Sequence, residues 1–382
     1  MNKKALVAMS GGVDSSVAAY LMKQSGYDCM GATMKLFDEN NIYASNNKQN
    51  TTFTDHINGD TQQSQNSTTY KTDYATDAEE IAKALNMPFS VVDFSEQFKK
   101  YVIDQFIYSY ENGMTPNPCI VCNRYLKFDE LFKYAMSLGY DFIATGHYVQ
   151  IRLNENTGRY ELLKAVDLSK DQSYVLYSLT QHQLSHTIFP LGSLSKNEVR
   201  SIATEQGFSN AGKKESQDIC FVPDGSYTNF IEAYTGKKYP EGNFIDTKGT
   251  VLGKHRGIIY YTVGQRKGLG LSFSQPMYVS KVDPVSNTVT LAGNEELFSK
   301  ALTAHNINLI SVEEISSPMR VMAKVRYSHK EQRATVTQPD KDTLYVEFDE
   351  PQRAITKGQS VVLYDGDIVV GGGIICETSV TF

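Results

Sequence analysis

The run ALVAM at residues 5–9 is unbroken apolar sequence, the polar turn Ser10-Gly11-Gly12 follows, and Val13, Val17 and Leu21 then return at helical spacing until Gly26. Residues 30–37 read as a second buried strand. The rhythm resumes downstream with a helix over about 75–85, a strand at 89–94, helices at 98–110 and 123–138, and a strand at 142–148. Buried strands alternating with amphipathic helices predict an α/β fold, a doubly wound parallel sheet, over residues 1–212. A tract rich in Asn, Gln, Ser and Thr at 38–71 interrupts it. With almost nothing to bury, that tract is expected to be a mobile insertion without chemistry. Beyond Gly212 the texture changes to short strands and frequent glycines, expected as a small central adaptor domain at 213–276. From Met277, period-2 runs such as TLYVEF and SVVLYDGDIVVGGGII, the latter with an Asp365-Gly366 turn, predict a C-terminal β-barrel over 277–382.

Length agrees with that division, because 382 residues exceed what one hydrophobic core holds. Hydrophobic residues at 41% and charged residues at 21% are ordinary for a soluble protein, and no apolar run approaches bilayer length. The run at 5–9 is too short for a signal peptide and leads directly into glycines and Asp14. A cytoplasmic protein without a membrane partner is therefore expected. Five cysteines form an odd, sparse set that argues for reduced thiols and against a disulfide framework. The net charge of -6 does not exclude a nucleic-acid partner, since a local basic patch can bind phosphates on an acidic protein.

A glycine-rich loop between a buried strand and a helix offers backbone N–H groups and the positive end of the helix dipole to a phosphate. Ser10, Ser15 and Ser16 add hydroxyls. A γ-phosphoryl transfer loop would carry a lysine after its last glycine, and here that neighbourhood is Val13-Asp14-Ser15. The loop suits a departing pyrophosphate instead, with a nucleophile attacking the α phosphate of ATP and Asp14 as a ligand for Mg²⁺. SGGVDSS in this setting resembles the pyrophosphatase loop of the ATP pyrophosphatase family, which includes GMP and NAD synthetases and tRNA sulfur transferases.

Cysteine placement narrows the choice. TPNPCIVCNRYLKFDEL at 115–131 sets Cys119 and Cys122 before an amphipathic helix, and Cys122, expected at or beside the helix start, would have its thiol pKa lowered by the dipole. Cys220 lies in the polar segment ESQDICFV, whereas Cys29 and Cys376 read as core packing within apolar strands. One CxxC without a second pair does not make a tetrahedral zinc site. Three thiolates, Cys119, Cys122 and Cys220, suffice for an iron-sulfur cluster with one open iron, which stays open as an alternative. The run VLGKHRGIIYYTVGQRKGLG at 251–270 interleaves Lys254, His255, Arg256, Arg266 and Lys267 with Tyr260 and Tyr261, a composition suited to looped RNA or to a solvated basic face.

Taken in order, AMSGGVDSS, NPCIVCN, ATGHY, KDQSY, ESQDICF, YTVGQRKGLG, VRY and AITKGQSVVLYDGDIVVGGGII resemble the bacterial tRNA-specific 2-thiouridylases over nearly the whole chain. The resemblance implies ATP-dependent adenylation of the C2 carbonyl of a wobble uridine in tRNAs of the Lys, Glu and Gln type. Sulfur transfer from a cysteine persulfide would follow, the sulfur being supplied by a cysteine desulfurase or a sulfur-relay protein. It implies Cys122 as nucleophile and Cys220 as persulfide carrier, with a Cys122–Cys220 disulfide in one route. ATP contacts would come from Ala8, Met9, Ser10, Gly11, Gly12, Val13, Asp14, Ser15, Met34 and Gly146. Asn117, Pro118 and Cys119 would line the pocket of the flipped-out base, and His147, Lys170, Asp171, Gln172, Arg326, Tyr327 and Gln359 would meet tRNA. Some members have Asp at the position of Cys119, so that residue's role is the least transferable.

Overall fold

In the computed structural model, residues 3–37, 73–213, 219–222 and 225–380 are described. The expected insertion at 38–71 lies outside them. The first sheet contains β1 (Lys4–Ala8), β2 (Asp28–Lys35), β3 (Phe89–Asp93), β4 (Phe142–Ala144) and, later in the chain, the short β7 (Thr187–Ile188). These strands are all parallel, in the order β3-β2-β1-β4-β7. A parallel sheet is buried on both faces, and Ala5, Leu6 and Val7 are accordingly fully buried. The strand order reverses between β1 and β4, which opens a crevice at their C-terminal ends. Helix α1 (Val13–Gln24) starts at that crevice.

A second sheet is formed by β8 (Gly242–Ile245), β9 (Val251–His255), β10 (Tyr278–Asp283) and β11 (Thr288–Ala292), in the order β10-β11-β8-β9. The strands at 278–292, expected to open the barrel from residue 277, thus belong to the central unit, because Thr288–Thr290 pair in parallel with Asn243–Ile245. Period-2 alternation identifies strands but not the sheet they join.

The barrel itself is β12 (Phe298–Leu309), β13 (Met319–Lys324), β14 (Gln332–Asp340), β15 (Thr343–Arg353), β16 (Ser360–Asp365) and β17 (Ile368–Val380), closed by pairing of β12 with β17. Closure removes the free edges of the sheet. A hairpin of β5 (Val149–Asn154) and β6 (Arg159–Lys164), which leaves the crevice after β4, attaches to β17 at Leu163 and Ile368. The barrel is thereby anchored beside the crevice. Among the described residues no helix is long and apolar enough to cross a membrane.

Candidate active site

The phosphate loop follows β1. Gly11 takes φ +73, which an L side chain rarely adopts, and Gly12 is the N-cap of α1 with no side-chain cap bond. The N–H groups of the first turn are therefore left to a ligand. Ser15 Oγ accepts from Ser10 N at 3.1 Å and donates to Gly12 O at 3.0 Å, so its hydroxyl shapes the loop. Ser16 is wholly buried and faces away from the crevice. Met9 is fixed to β2 by Thr33, whose hydroxyl donates to Met9 O at 2.6 Å, and Met34 ends that strand half-buried. On the far side of the reversal, a Cβ on Gly146 would stand 2.8 Å from Asp14 C and Ser15 N, so glycine is required for β4's loop to pass the start of α1. Ala8 to Ser15, Met34 and Gly146 thus line one crevice.

The lysine missing from the loop arrives from elsewhere. Lys196 begins a helix (Lys196–Glu205) that the capping box of Ser195 and Glu198 starts. Its ammonium donates to Asp14 Oδ1 at 2.7 Å and Oδ2 at 2.9 Å, and Tyr148 Oη donates to Oδ1 at 2.7 Å. Asn210 closes the loop from behind, its amide donating to Gly11 O at 3.0 Å and Ser16 Oγ at 2.9 Å. Sequence reasoning missed all three residues. The S-x-x-E box announced a helix start at 195, but nothing in sequence announces that its first lysine is buried against Asp14.

The cysteines stand on helix α2 (Pro118–Cys122), opened by Asn117, whose Oδ1 accepts from Cys119 N at 3.1 Å, with Pro118 in the first turn. Cys119 is exposed and Cys122 buried. The expectation that the helix start lowers the Cys122 pKa is corrected. α2 continues without a break through residues 123–130 and 131–137, so Cys122 lies in the second turn of a long helix; burial there outweighs the helix start and the smaller opposing pull of Lys127 and pushes the thiol up. Burial raises Cys119 as well, and Cys220 is pushed up to about 12, first by burial and then by Cys122 and Cys119. Their mutual influence places the three thiols in one neighbourhood, with Lys127 acting on each of them. Cys29 is core as expected, whereas Cys376 is only half-buried and bonds Thr303 O at 3.2 Å. Among the described residues no three His, Cys, Asp or Glu side chains are gathered to hold a metal ion. Asp14, a single carboxylate, suits only a Mg²⁺ that arrives with phosphate oxygens.

His147 is buried between Phe128 and Phe189, with Nδ1 2.7 Å from Thr145 Oγ1 and Nε2 3.5 Å from Lys127 Nζ. Burial, with Lys127 adding, holds it well below the usual histidine range. It is a buried, neutral histidine, at the position where the resemblance implies a tRNA contact. Asp171 and Gln172 also spend their side chains within the protein: Asp171 accepts from Ala165 N at 3.0 Å and Ser173 Oγ at 2.6 Å, and Gln172 accepts from Tyr148 N at 2.9 Å. They hold Lys170 beside the barrel. There Tyr327, 45% exposed, donates to Asp171 O at 3.4 Å. Lys324 lies over the rings of Tyr174 and Tyr327 at 5.7 and 5.5 Å. Arg326 and Tyr327 thus share a face with 170–172, and Tyr327 is near enough to Cys119 to feel its charge.

The run at 251–270, open in sequence between a looped-RNA contact and a solvated basic face, does not present its two tyrosines as a free stacking surface. Tyr261 and His255 are buried in the central unit, and Tyr260 donates to Glu232 at 2.8 Å beneath Arg256. Lys254, Arg256, Arg266 and Lys267 remain exposed, as a basic face without stacking rings.

A glycine-rich phosphate-type loop at the switch point of a doubly wound sheet, in a chain that also brings three thiols into one neighbourhood, defines the class, a nucleotide-binding α/β protein. Family comparison makes this specific: the chain matches the tRNA methyl transferase HUP domain over 3–224, the tRNA methyl transferase PRC-barrel domain over 228–293 and the aminomethyltransferase beta-barrel domain over 299–375. It is 50% identical over 375 residues to the tRNA-specific 2-thiouridylase MnmA of Clostridioides difficile (strain 630), covering 98% of each chain. It is 48% identical over 376 residues to that of Clostridium kluyveri, covering 98% of this chain and 99% of the relative. The chain belongs to the tRNA-specific 2-thiouridylase family. A solved 4-thiouridine synthetase–RNA complex with bound ATP matches at 17% identity and a TM-score of 0.34, over 62% of this chain and 54% of that one, too slight a likeness to bear on function.

Proposed function

We propose that this enzyme uses ATP to convert the C2 carbonyl of a tRNA wobble uridine to a thiocarbonyl, releasing AMP and pyrophosphate. The observations that support the reading are a phosphate loop whose Asp14 is bonded by Lys196 and three thiols, Cys119, Cys122 and Cys220, near enough to influence one another. A carbonyl oxygen is a poor leaving group, so uridine O2 attacks the α phosphorus and pyrophosphate departs into the N–H groups of the loop, with Lys196 supplying the cation. Asp14 is the residue that would hold a Mg²⁺ together with phosphate oxygens, and the ion would supply charge neutralisation on the triphosphate. Asn117, Pro118 and Cys119 border the pocket for the target base.

Sulfur reaches the site as a persulfide on Cys220, provided by a cysteine desulfurase or a relay protein. In the direct route the terminal sulfur attacks C2, AMP leaves with the former O2, and Cys122 thiolate then attacks Cys220 Sγ to free the thiocarbonyl. In the second route Cys122 thiolate attacks Cys220 Sγ first and releases hydrosulfide, which displaces AMP. Both end in a Cys122–Cys220 disulfide that an external thiol reductant must reopen. Lys170, Arg326, Tyr327 and Gln359 face the RNA, and a cytoplasmic location fits this substrate. Assays with labelled sulfur test the reading: Cys220→Ser should adenylate tRNA but carry no protein-bound sulfur, whereas Cys122→Ser should load sulfur on Cys220 and fail to thiolate. Wild-type thiolation by Cys122→Ser overturns the assignment.

A further inference from the structure

The barrel does more at the active site than present an RNA face. The four residues ahead of α2, Gly113 to Pro116, are enclosed from two sides. A Cβ on Gly113 would lie 2.9 Å from Val282 O of β10, so the central unit packs directly on this backbone. From the barrel side, Thr115 N donates to Lys357 O at 2.9 Å, and the Gln359 amide donates to Thr115 O at 2.8 Å and Pro116 O at 3.3 Å. Gly358, at φ +88, lies so close that a Cβ there would stand 3.0 Å from Met114 Cβ and 3.1 Å from Thr115 N and O. The chain just past Cys122 is tied to the same barrel edge. Asn123, next to Cys122, donates to Val175 O at 3.0 Å, and the flanking Tyr174 and Tyr177 bond Ser360 through O at 2.8 Å and Oγ at 3.1 Å.

We propose that the barrel loop Lys357 to Ser360 is a positioning clamp for the cysteine helix, with Gln359 as its central positioning residue. The first turn of a helix has no intrahelical partners for its N–H groups, so the placement of Cys119 and Cys122 depends on what holds the chain entering at Pro118. That entry is held directly by Lys357 and Gln359, and Asn123 is tied to the same loop indirectly, through Val175 and the tyrosines that bond Ser360. Gln359 uses its amide hydrogens on the Thr115 and Pro116 carbonyls, and its Oε1 makes no hydrogen bond among the described residues. It can accept from a ribose 2′-hydroxyl or a base amine while still holding the loop. One side chain then links RNA seated on the barrel to the alignment of Cys119 and Cys122. This rests on the functional reading above only where turnover is concerned.

The test is iodoacetamide labelling of the full-length enzyme without ATP or tRNA, resolved by peptide mass spectrometry, for Gln359→Glu and Gly358→Ala. The glutamate keeps the shape but cannot donate to the two carbonyls, and the alanine presses on residues 114–115 while leaving the amide intact. In both variants Cys122 labelling should rise about tenfold, as when a local opening loses roughly one hydrogen bond, while Cys119 changes little and core Cys29 stays protected. In thiolation assays kcat should fall with KM for tRNA nearly unchanged. Unchanged Cys122 protection with only a raised KM would reduce Gln359 to an RNA contact and overturn the proposal. Parallel exposure of Cys29 would show general loosening and overturn it equally. The labelling arm needs no substrate, so it stands apart from any failure of the thiolation reading.

Discussion

At the phosphate loop, Asp14 carries both an ammonium and a phenol, and the ammonium belongs to Lys196, 182 residues away in sequence. Lys196→Met should lower AMP release by roughly 10²–10³-fold, because it removes preorganised positive charge where pyrophosphate leaves and strands the Asp14 carboxylate. Quench-flow measurement of AMP with tRNA and ATP present checks this. The thiols give a pH prediction. Burial raises Cys122 and Lys127 partly offsets it, so the reactive thiolate is scarce near neutrality and alkylation of Cys122 should keep rising with pH from 7 to 9. Lys127→Gln removes the lowering influence, moves the profile to higher pH and slows labelling at pH 8. A profile unchanged by that substitution would contradict the role of Lys127. The loop motif was legible because its chemistry is contiguous, and Cys122 and Cys220 stand out by type and setting. Lys196, Tyr148 and Lys127 were not legible, since their functional meaning is a contact that only the folded chain creates.

Two elements carry the site, the turn into α1 and helix α2. Gly146→Ala would drive a Cβ into the Asp14–Ser15 backbone, so ATP affinity measured by calorimetry should fall at least about tenfold, with the carbonyl-rich core of the sheet undisturbed. Asn117→Ala deletes the N-cap of α2, at a cost of about 1 kcal/mol, and should lower the thermal midpoint by a few degrees while quickening hydrogen exchange in residues 118–122. Strand and helix types between residues 5 and 144 follow from hydrophobic spacing, because the central strands of a buried parallel sheet read as apolar runs, whereas the hairpin of β5 and β6 and the elements up to residue 205 were not read from the sequence. Sheet membership does not follow from spacing. β10 and β11 alternate like barrel strands yet join the central sheet, β11 pairing with β8, while Tyr261 is buried in the central core and Tyr260 packs partly against it. Composition reports which rings are present but not which of them the folded chain turns inward.

At the scale of the whole molecule, the parallel sheet supplies the phosphate loop, the hairpin of β5 and β6 joins it to the barrel sheet, and the barrel edge bonds the chain entering α2. The net charge of -6 does not oppose tRNA binding, since Lys170, Lys324 and Arg326 gather where the barrel meets the loop at 170–172. The central claim is that uridine O2 attacks the α phosphorus of ATP at the phosphate-loop crevice. Its most direct measurement uses tRNA whose target uridine carries heavy oxygen at C2, with single-turnover products read by mass spectrometry. The account predicts one AMP per 2-thiouridine formed, each AMP bearing the heavy oxygen, together with unlabelled pyrophosphate. Unlabelled AMP, or ADP with phosphate, would contradict it.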